Sequence, residues 1–135
     1  MKRQYFTVEQ ATGLIPELEQ AFGRVLQLRL QIKLLARRFD GERRLLADGD
    51  DATLSPALYR ARATAKGLIE VLAEEVERIE ALGCVVKDLD QGLVDWYARK
   101  DGREVLLCWR LGEKRVDHWH ELEDGFAGRR SLNER

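Results

Sequence analysis

Two long stretches of this chain carry the three-and-four spacing of amphipathic helices, and after Gly83 the pattern changes to the two-residue spacing of strands. Thr7-Val8-Glu9-Gln10 reads as a capping box, with the Thr7 hydroxyl accepting from the Gln10 amide and the Gln10 side chain reaching back. Gly13 and Pro16 keep this first helix short, because proline lacks an amide hydrogen and clashes with the preceding turn. Pro16 then suits the first turn of a second helix. Leu18, Phe22, Val25, Ile32, Ala36 and Phe39 step by four and three with Arg29 in the vacant slot, and Leu14, Ala21, Leu28 and Leu35 widen the seam to a core-facing stripe. The pattern predicts a helix running to about Leu46, weakest at Asp40-Gly41.

The acidic stretch from Ala47 to Leu54 reads as a connector, and Ser55-Pro56 supplies an N-cap with proline at the first helical position. Leu58, Ala61, Ala65, Leu68, Leu72, Ile79 and Leu82 continue the helical spacing with Glu75 in the vacant slot, until Gly83 stops it. Two long helices joined by a short connector pack antiparallel. Folding about the connector brings Arg29 opposite Glu75 and predicts an interhelical ion pair that sets register.

Cys84 to Asp88 reads as a short strand, and Leu93–Arg99 and Arg103–Arg110 flank Asp101-Gly102, a favoured pair for a type I′ hairpin turn. In that register Arg99 faces Glu104, Ala98 faces Val105, Trp96 faces Leu107 and Val94 faces Trp109, so opposite charges meet and apolar groups meet. One face is wholly apolar. The other carries Leu93, Asp95, Tyr97, Arg99, Glu104, Leu106, Cys108 and Arg110, a mixed set able to host a site. Arg115 to His120 is a further strand candidate, followed by a loop through residue 130 and a polar tail at 131–135. The predicted fold class is α+β, a long antiparallel helical hairpin followed by a small antiparallel β-sheet. The reading is one domain over residues 1–135, mainly helical through 83 and sheet with a motif loop over 84–130.

At 135 residues, with 44% hydrophobic and 35% charged residues, the chain has the balance of a globular domain able to bury a core. Lys and Arg total 23 against 24 Asp and Glu, a net charge of -1, so no global field favours nucleic acid or an anionic membrane. The basic run along the second helix is offset by Glu70, Glu74, Glu75, Glu77 and Glu80 on the third. No apolar run approaches a membrane span, and the start lacks the apolar run of a signal peptide, which points to a cytoplasmic protein. Cys84 and Cys108 lie in apolar segments and read as small buried hydrophobes rather than a disulfide.

Both histidines fall in Asp117-His118-Trp119-His120-Glu121. On a strand His118 and His120 share a face, and with a carboxylate from Glu121, Asp124 or Asp95 they could hold a divalent metal. A second arrangement is an anion site, in which Gly125 to Arg129 offers exposed amides and a guanidinium, with Arg110 and His120 converging on the same ligand. The plainer alternative has Gly125 and Gly128 serving turns, Phe126 filling the core and Arg129 pairing with Asp95 or Asp124. Trp119 marks a ligand surface only if its ring is exposed beside His120. Cys108 sits opposite Asp95, and a facing carboxylate raises a thiol's pKa, the wrong direction for a nucleophile.

Leu89-Asp90-Gln91-Gly92-Leu93-Val94-Asp95, Val105 to Glu113, and Trp119-His120 through Gly125-Phe126-Ala127-Gly128-Arg129 together form a motif string. With Tyr5 to Glu9 and Leu14 to Leu18, it resembles the small prokaryotic proteins catalogued as domain of unknown function 2203. The resemblance covers nearly the whole chain. It implies no activity, substrate or cofactor, but directs attention to His120, Gly125, Gly128 and Arg129. Two functions follow as expectations. The first is a non-enzymatic binding or interaction module, homodimeric through the hairpin. The second is a small enzyme or sensor holding an anionic metabolite through Arg110, His120 and Arg129.

Overall fold

The computed structural model describes residues 3–39, 41, 45–46 and 55–133. They form two compact units, Gly23–Val76, and Met1–Phe22 with Glu77–Arg135. Among the described residues, helices and a five-stranded antiparallel sheet make the fold α+β.

The first of these units is the helical hairpin, built from α2 (Ile15–Arg37) and α3 (Pro56–Glu80) over the parts that lie within it. Pro16 stands in the first turn of α2, where its missing amide costs nothing. The helix ends at Arg37, short of the predicted Leu46. The Phe39 and Gly41 amides both close onto the Ala36 carbonyl at 2.9 Å, and Gly41 takes φ 106°. Gly41 therefore marks the stop, at the place where the sequence reads as weak. The predicted connector over 47–54 lies outside the described residues. Ser55 caps α3, its Oγ accepting from the Leu58 amide at 3.1 Å.

Ala36, Leu45, Ala61 and Ala65 bury one another at one end of the hairpin. At the other, buried Glu75 accepts from Arg24 Nε at 2.9 Å. The helices thus run antiparallel, with an interhelical ion pair at the polar interruption of the α3 seam. Arg24 is thus an arginine that Glu75 receives, N-terminal to the Arg29 that simple folding about the connector puts opposite Glu75.

The second unit opens on the N-terminal strap and α1 (Val8–Gly13), whose capping box forms as read, with Gln10 N to Thr7 Oγ1 at 3.1 Å and Thr7 N to Gln10 Oε1 at 2.9 Å. The sheet follows as a meander, β1 (Val85–Asp88), β2 (Leu93–Lys100), β3 (Arg103–Arg110), β4 (His118–His120) and β5 (Arg130–Ser131), each strand beside the next. Asp101 at φ 53° and Gly102 at φ 80° make the I′ turn, and all four predicted β2–β3 pairs are in register.

Two strand expectations need correction. The fourth strand begins at His118, not Arg115, because the Val116 amide leaves the ladder to donate to Thr12 Oγ1 at 3.2 Å. Arg130 and Ser131, read as the junction of loop and tail, pair with Trp119 and His118 as an edge strand.

The apolar face of the hairpin is buried as expected, with Trp96 against Phe6 and Trp109 against Phe22, each at 6.4 Å between ring centroids. The Phe6 amide donates to the Tyr97 carbonyl at 2.9 Å, so the N-terminal strap occupies the edge of β2 beyond the end of β1. The second face is less open than a mixed pattern suggests: Leu93, Asp95, Leu106 and Cys108 are all buried.

Gly83 takes φ 90° after α3, and a Cβ there would run into the Phe6 ring. Gly83→Ala is expected to cost about 1–3 kcal/mol, the usual cost of a strained backbone position. Gly67, inside α3 with open space around it, should do the reverse, Gly67→Ala adding about 0.5–1 kcal/mol. Urea unfolding of both variants checks the pair. Shifts of the same sign would contradict this account of the two glycines.

Candidate functional site

The β2–β3–β4 register sets Asp95, Cys108 and His118 side by side in one row of the second face, and Leu106 beside His120 in the next. His120 leans back toward that first row. Its Nε2 lies 2.9 Å from Asp95 Oδ2, and its Nδ1 lies 2.8 Å from the Glu121 carbonyl oxygen. A carbonyl oxygen only accepts, so Nδ1 carries a hydrogen. The Nε2···Oδ2 contact then needs one more proton, which the pair shares.

Both partners are almost wholly enclosed, Asp95 at 1% and His120 at 2% exposure. Burial raises the Asp95 carboxyl above its ordinary pKa, while His120 and the adjacent Cys108 thiol pull the other way. Asp95 Oδ1 is buried without a hydrogen-bond partner. Such an atom costs free energy unless something arrives to satisfy it.

Cys108 completes the group. One donor atom from each of Asp95, Cys108 and His120 can be chosen with all three within 4.8 Å of one another. Burial, and then the Asp95 charge, push the thiol up to about 12, with Arg129 opposing only in part. That is the direction expected from the cross-strand pairing, and it leaves a neutral thiol rather than a nucleophile.

Arg129 Nη1 donates to Cys108 Sγ at 3.9 Å, but its fork is held by Glu113, at 3.0 Å to Oε1 and 2.6 Å to Oε2. Glu113 is anchored in turn by the Arg110 amide at 2.7 Å, and its own carbonyl accepts from Trp109 Nε1 at 2.9 Å. Burial alone would raise the Glu113 carboxyl, yet the hydrogen bonds from Arg129 and from the Arg110 amide hold it below its ordinary value. This brace closes the end of the face behind Cys108.

A cavity of about 300 Å³ opens against the triad. Asp88, Asp95 and Asp124 line it against the single cation Lys87, and Gly125 and Phe126 form part of its wall. Asp88 also caps the turn after β1, its Oδ1 accepting from the Asp90 and Gln91 amides.

Of the residues singled out from sequence, His120, Asp95, Gly125 and Asp124 meet at this cavity. Arg110 and Arg129 do not line it. Their guanidiniums lie 5.4 and 4.4 Å from the Phe126 ring centroid, and Arg129 is engaged by Glu113 rather than by Asp95 or Asp124. Gly128 meets Asp124, where a Cβ would come within 2.9 Å of the side chain, so its role is close packing.

Trp119 is corrected outright. It is 6% exposed, sits beside Leu107 on the opposite face, and carries Lys100, Arg103 and Arg130 around its ring. The histidine pair is corrected too: His118 Nδ1 stands 3.5 Å from Glu113 Oε2, and Glu121 pairs with Arg103 at 2.7 Å. Neither lines the cavity. Cys108 and Glu113 were missed as site residues, although the hairpin register already placed Cys108 against Asp95.

A family model described as "Uncharacterized conserved protein (DUF2203)" matches residues 4–132. The chain belongs to that family. In this DUF2203 protein the match spans every residue of the triad, its brace and its cavity. No curated protein and no solved structure matches the chain.

Two measurements probe the site's electrostatics. Cys84 and Cys108 are both buried with thiols pushed up to about 12, so Ellman's reagent at pH 8 should leave both unreacted in the folded protein and titrate both after unfolding. Fast labelling of either in the native state would contradict the burial. Glu113→Gln should cost about 1–2 kcal/mol at neutral pH, where a charge-assisted fork is lost. Because the folded pKa of Glu113 lies below its ordinary value of 4.5, its contribution is present above that value and lost as pH falls through the folded pKa. The difference between variant and wild type should therefore shrink in acid, as followed by denaturant unfolding at stepped pH.

Proposed function

We propose that this protein is a non-enzymatic binding protein for a divalent transition metal of the zinc class, held by Asp95, Cys108 and His120. The observation that carries the reading is the unpartnered Asp95 Oδ1, buried beside a sulfur and a nitrogen donor on the wall of an acid-lined cavity. Sulfur, nitrogen and oxygen donors together suit zinc, whose fourth position here would be taken by water or by a further donor from the cavity wall. The Nδ1 hydrogen bond from His120 to a backbone carbonyl supports the same reading, since an imidazole fixed at one nitrogen presents the other as a ligand.

Binding would release the proton shared by Asp95 and His120 and the Cys108 thiol proton. An anionic metabolite is the less favoured ligand, because three aspartates face the cavity and neither arginine does. Two free cysteines favour a reducing compartment such as the cytoplasm. Among the described residues, no helix is long and apolar enough to cross a membrane.

A specific observation favours a second role, pairing of two copies through the hairpin. Leu26, Leu30 and Leu34 recur every fourth residue of α2 and are 37%, 55% and 49% exposed. Such a stripe is its own complement about Leu30, as a two-fold interface requires. Sedimentation should give a dimer that Leu30→Asp reduces to monomer, and a wild-type monomer at high concentration would remove this role.

Cobalt titration tests the metal. One equivalent of Co²⁺ should bring a thiolate-to-cobalt charge-transfer band, which Cys108→Ser abolishes and Cys84→Ser preserves. No uptake, or a band that survives Cys108→Ser, would overturn the assignment.

A further inference from the structure

Arg129 is held from three sides. Its fork meets both Glu113 oxygens, at 3.0 Å from Nη1 and 2.6 Å from Nη2, and its guanidinium lies 4.4 Å from the Phe126 ring centroid. On the third side Nη1 stands 3.9 Å from Cys108 Sγ. The side chain is 15% exposed, so water does little to loosen these contacts. A salt bridge accounts for the fork, because a guanidinium pairs with a carboxylate through two parallel hydrogen bonds. It does not account for the sulfur. Nη1 carries two hydrogens, and with one directed to Glu113 Oε1 the other is left for Cys108.

The strand that carries Cys108 also fixes where this donor stands. Glu113 Oε1 accepts from the Arg110 amide at 2.7 Å and the Glu113 carbonyl accepts from Trp109 Nε1 at 2.9 Å, and both donors follow Cys108 directly in β3. Arg129 is also the far end of the segment whose Asp124, Gly125 and Phe126 line the triad's cavity. The near end is held where His120 Nδ1 donates to the Glu121 carbonyl at 2.8 Å. Each end of that segment is thus fastened to a residue of the triad.

A neutral thiol is a weak acceptor, and a contact of 3.9 Å to it adds little to stability. A thiolate is a strong one. We infer, resting on the metal assignment above, that Arg129 is the positioning residue of the site: once Cys108 is a thiolate ligand, the second Nη1 hydrogen is donated to its sulfur. That bond orients the sulfur and lowers the charge it gives the metal. Groups that hydrogen-bond a ligand from behind commonly set both its direction and its donor strength. Glu113 neutralises the guanidinium, so the effect is a directed hydrogen bond rather than a net positive charge, and the site still attracts a dication.

Cobalt bound to the whole chain reads the sulfur directly, through the energy of the thiolate-to-cobalt band at saturating Co²⁺. Arg129→Met removes the donor and keeps an apolar stem beside Phe126. It should move the band to longer wavelength and weaken cobalt binding about 10–100-fold. Glu113→Gln disrupts the same brace but keeps the guanidinium, and should leave the band at the wild-type position or to its short-wavelength side. A brace with only a structural role would make the two variants alike. An unshifted band in Arg129→Met, or the same long-wavelength shift in both variants, would overturn the assignment and leave the metal in place. Absence of the band from the wild-type protein would remove both.

Discussion

The register of β2 against β3 is the constraint on which both faces of the sheet depend. Asp101 and Gly102 accept positive φ, and the I′ turn they form sets Asp95 against Cys108 and Trp96 against Leu107. A slip of one residue would turn Trp96 and Trp109 toward the cavity and carry Asp95 and Cys108 into the apolar layer. The tryptophans resist that slip because Phe6 and Phe22 already receive them. Hydrophobic packing on one face thus holds the polar geometry of the other, and neither needs a disulfide to do so.

The elements set by local chemistry were legible in the sequence: the Thr7 capping box, the Ser55-Pro56 start, the Gly83 stop and the Asp101-Gly102 turn all form as read. Those that failed were settled at long range. The Val116 amide finds Thr12, over a hundred positions earlier, and the fourth strand shortens accordingly. Arg130 and Ser131 become a strand only because β4 offers them an edge. Trp119 could mark a ligand surface only with an exposed ring beside His120, and strand alternation places it beside Leu107 instead, buried.

The site was half legible for the same reason. Asp95 opposite Cys108 follows from the hairpin, and the upward shift of the thiol follows from that pairing. That His120 joins them, and that Arg129 does not, depends on how the segment from Glu121 to Arg129 returns. Glu113 takes the Arg129 fork because the turn after β3 brings its carboxylate back to the Arg110 amide, a preorganised acceptor that neither Asp95 nor Asp124 matches.

An apolar trio in place of Asp95, Cys108 and His120 would avoid desolvating a carboxylate and an imidazole, and buried ionic pairs replaced this way often leave a protein as stable or more so. The fold has no structural need for the polar version. Its other face shows that this sheet can be packed with Ala, Val, Leu and Trp alone. The stability argument is weaker still because one Asp95 oxygen has no partner, so the network is incomplete as a purely structural device. Perturbed titratable groups beside a cavity are what a site requires and what a core avoids. The unsatisfied oxygen therefore counts for function and against scaffolding, and it does so on the face that the hairpin register holds in place.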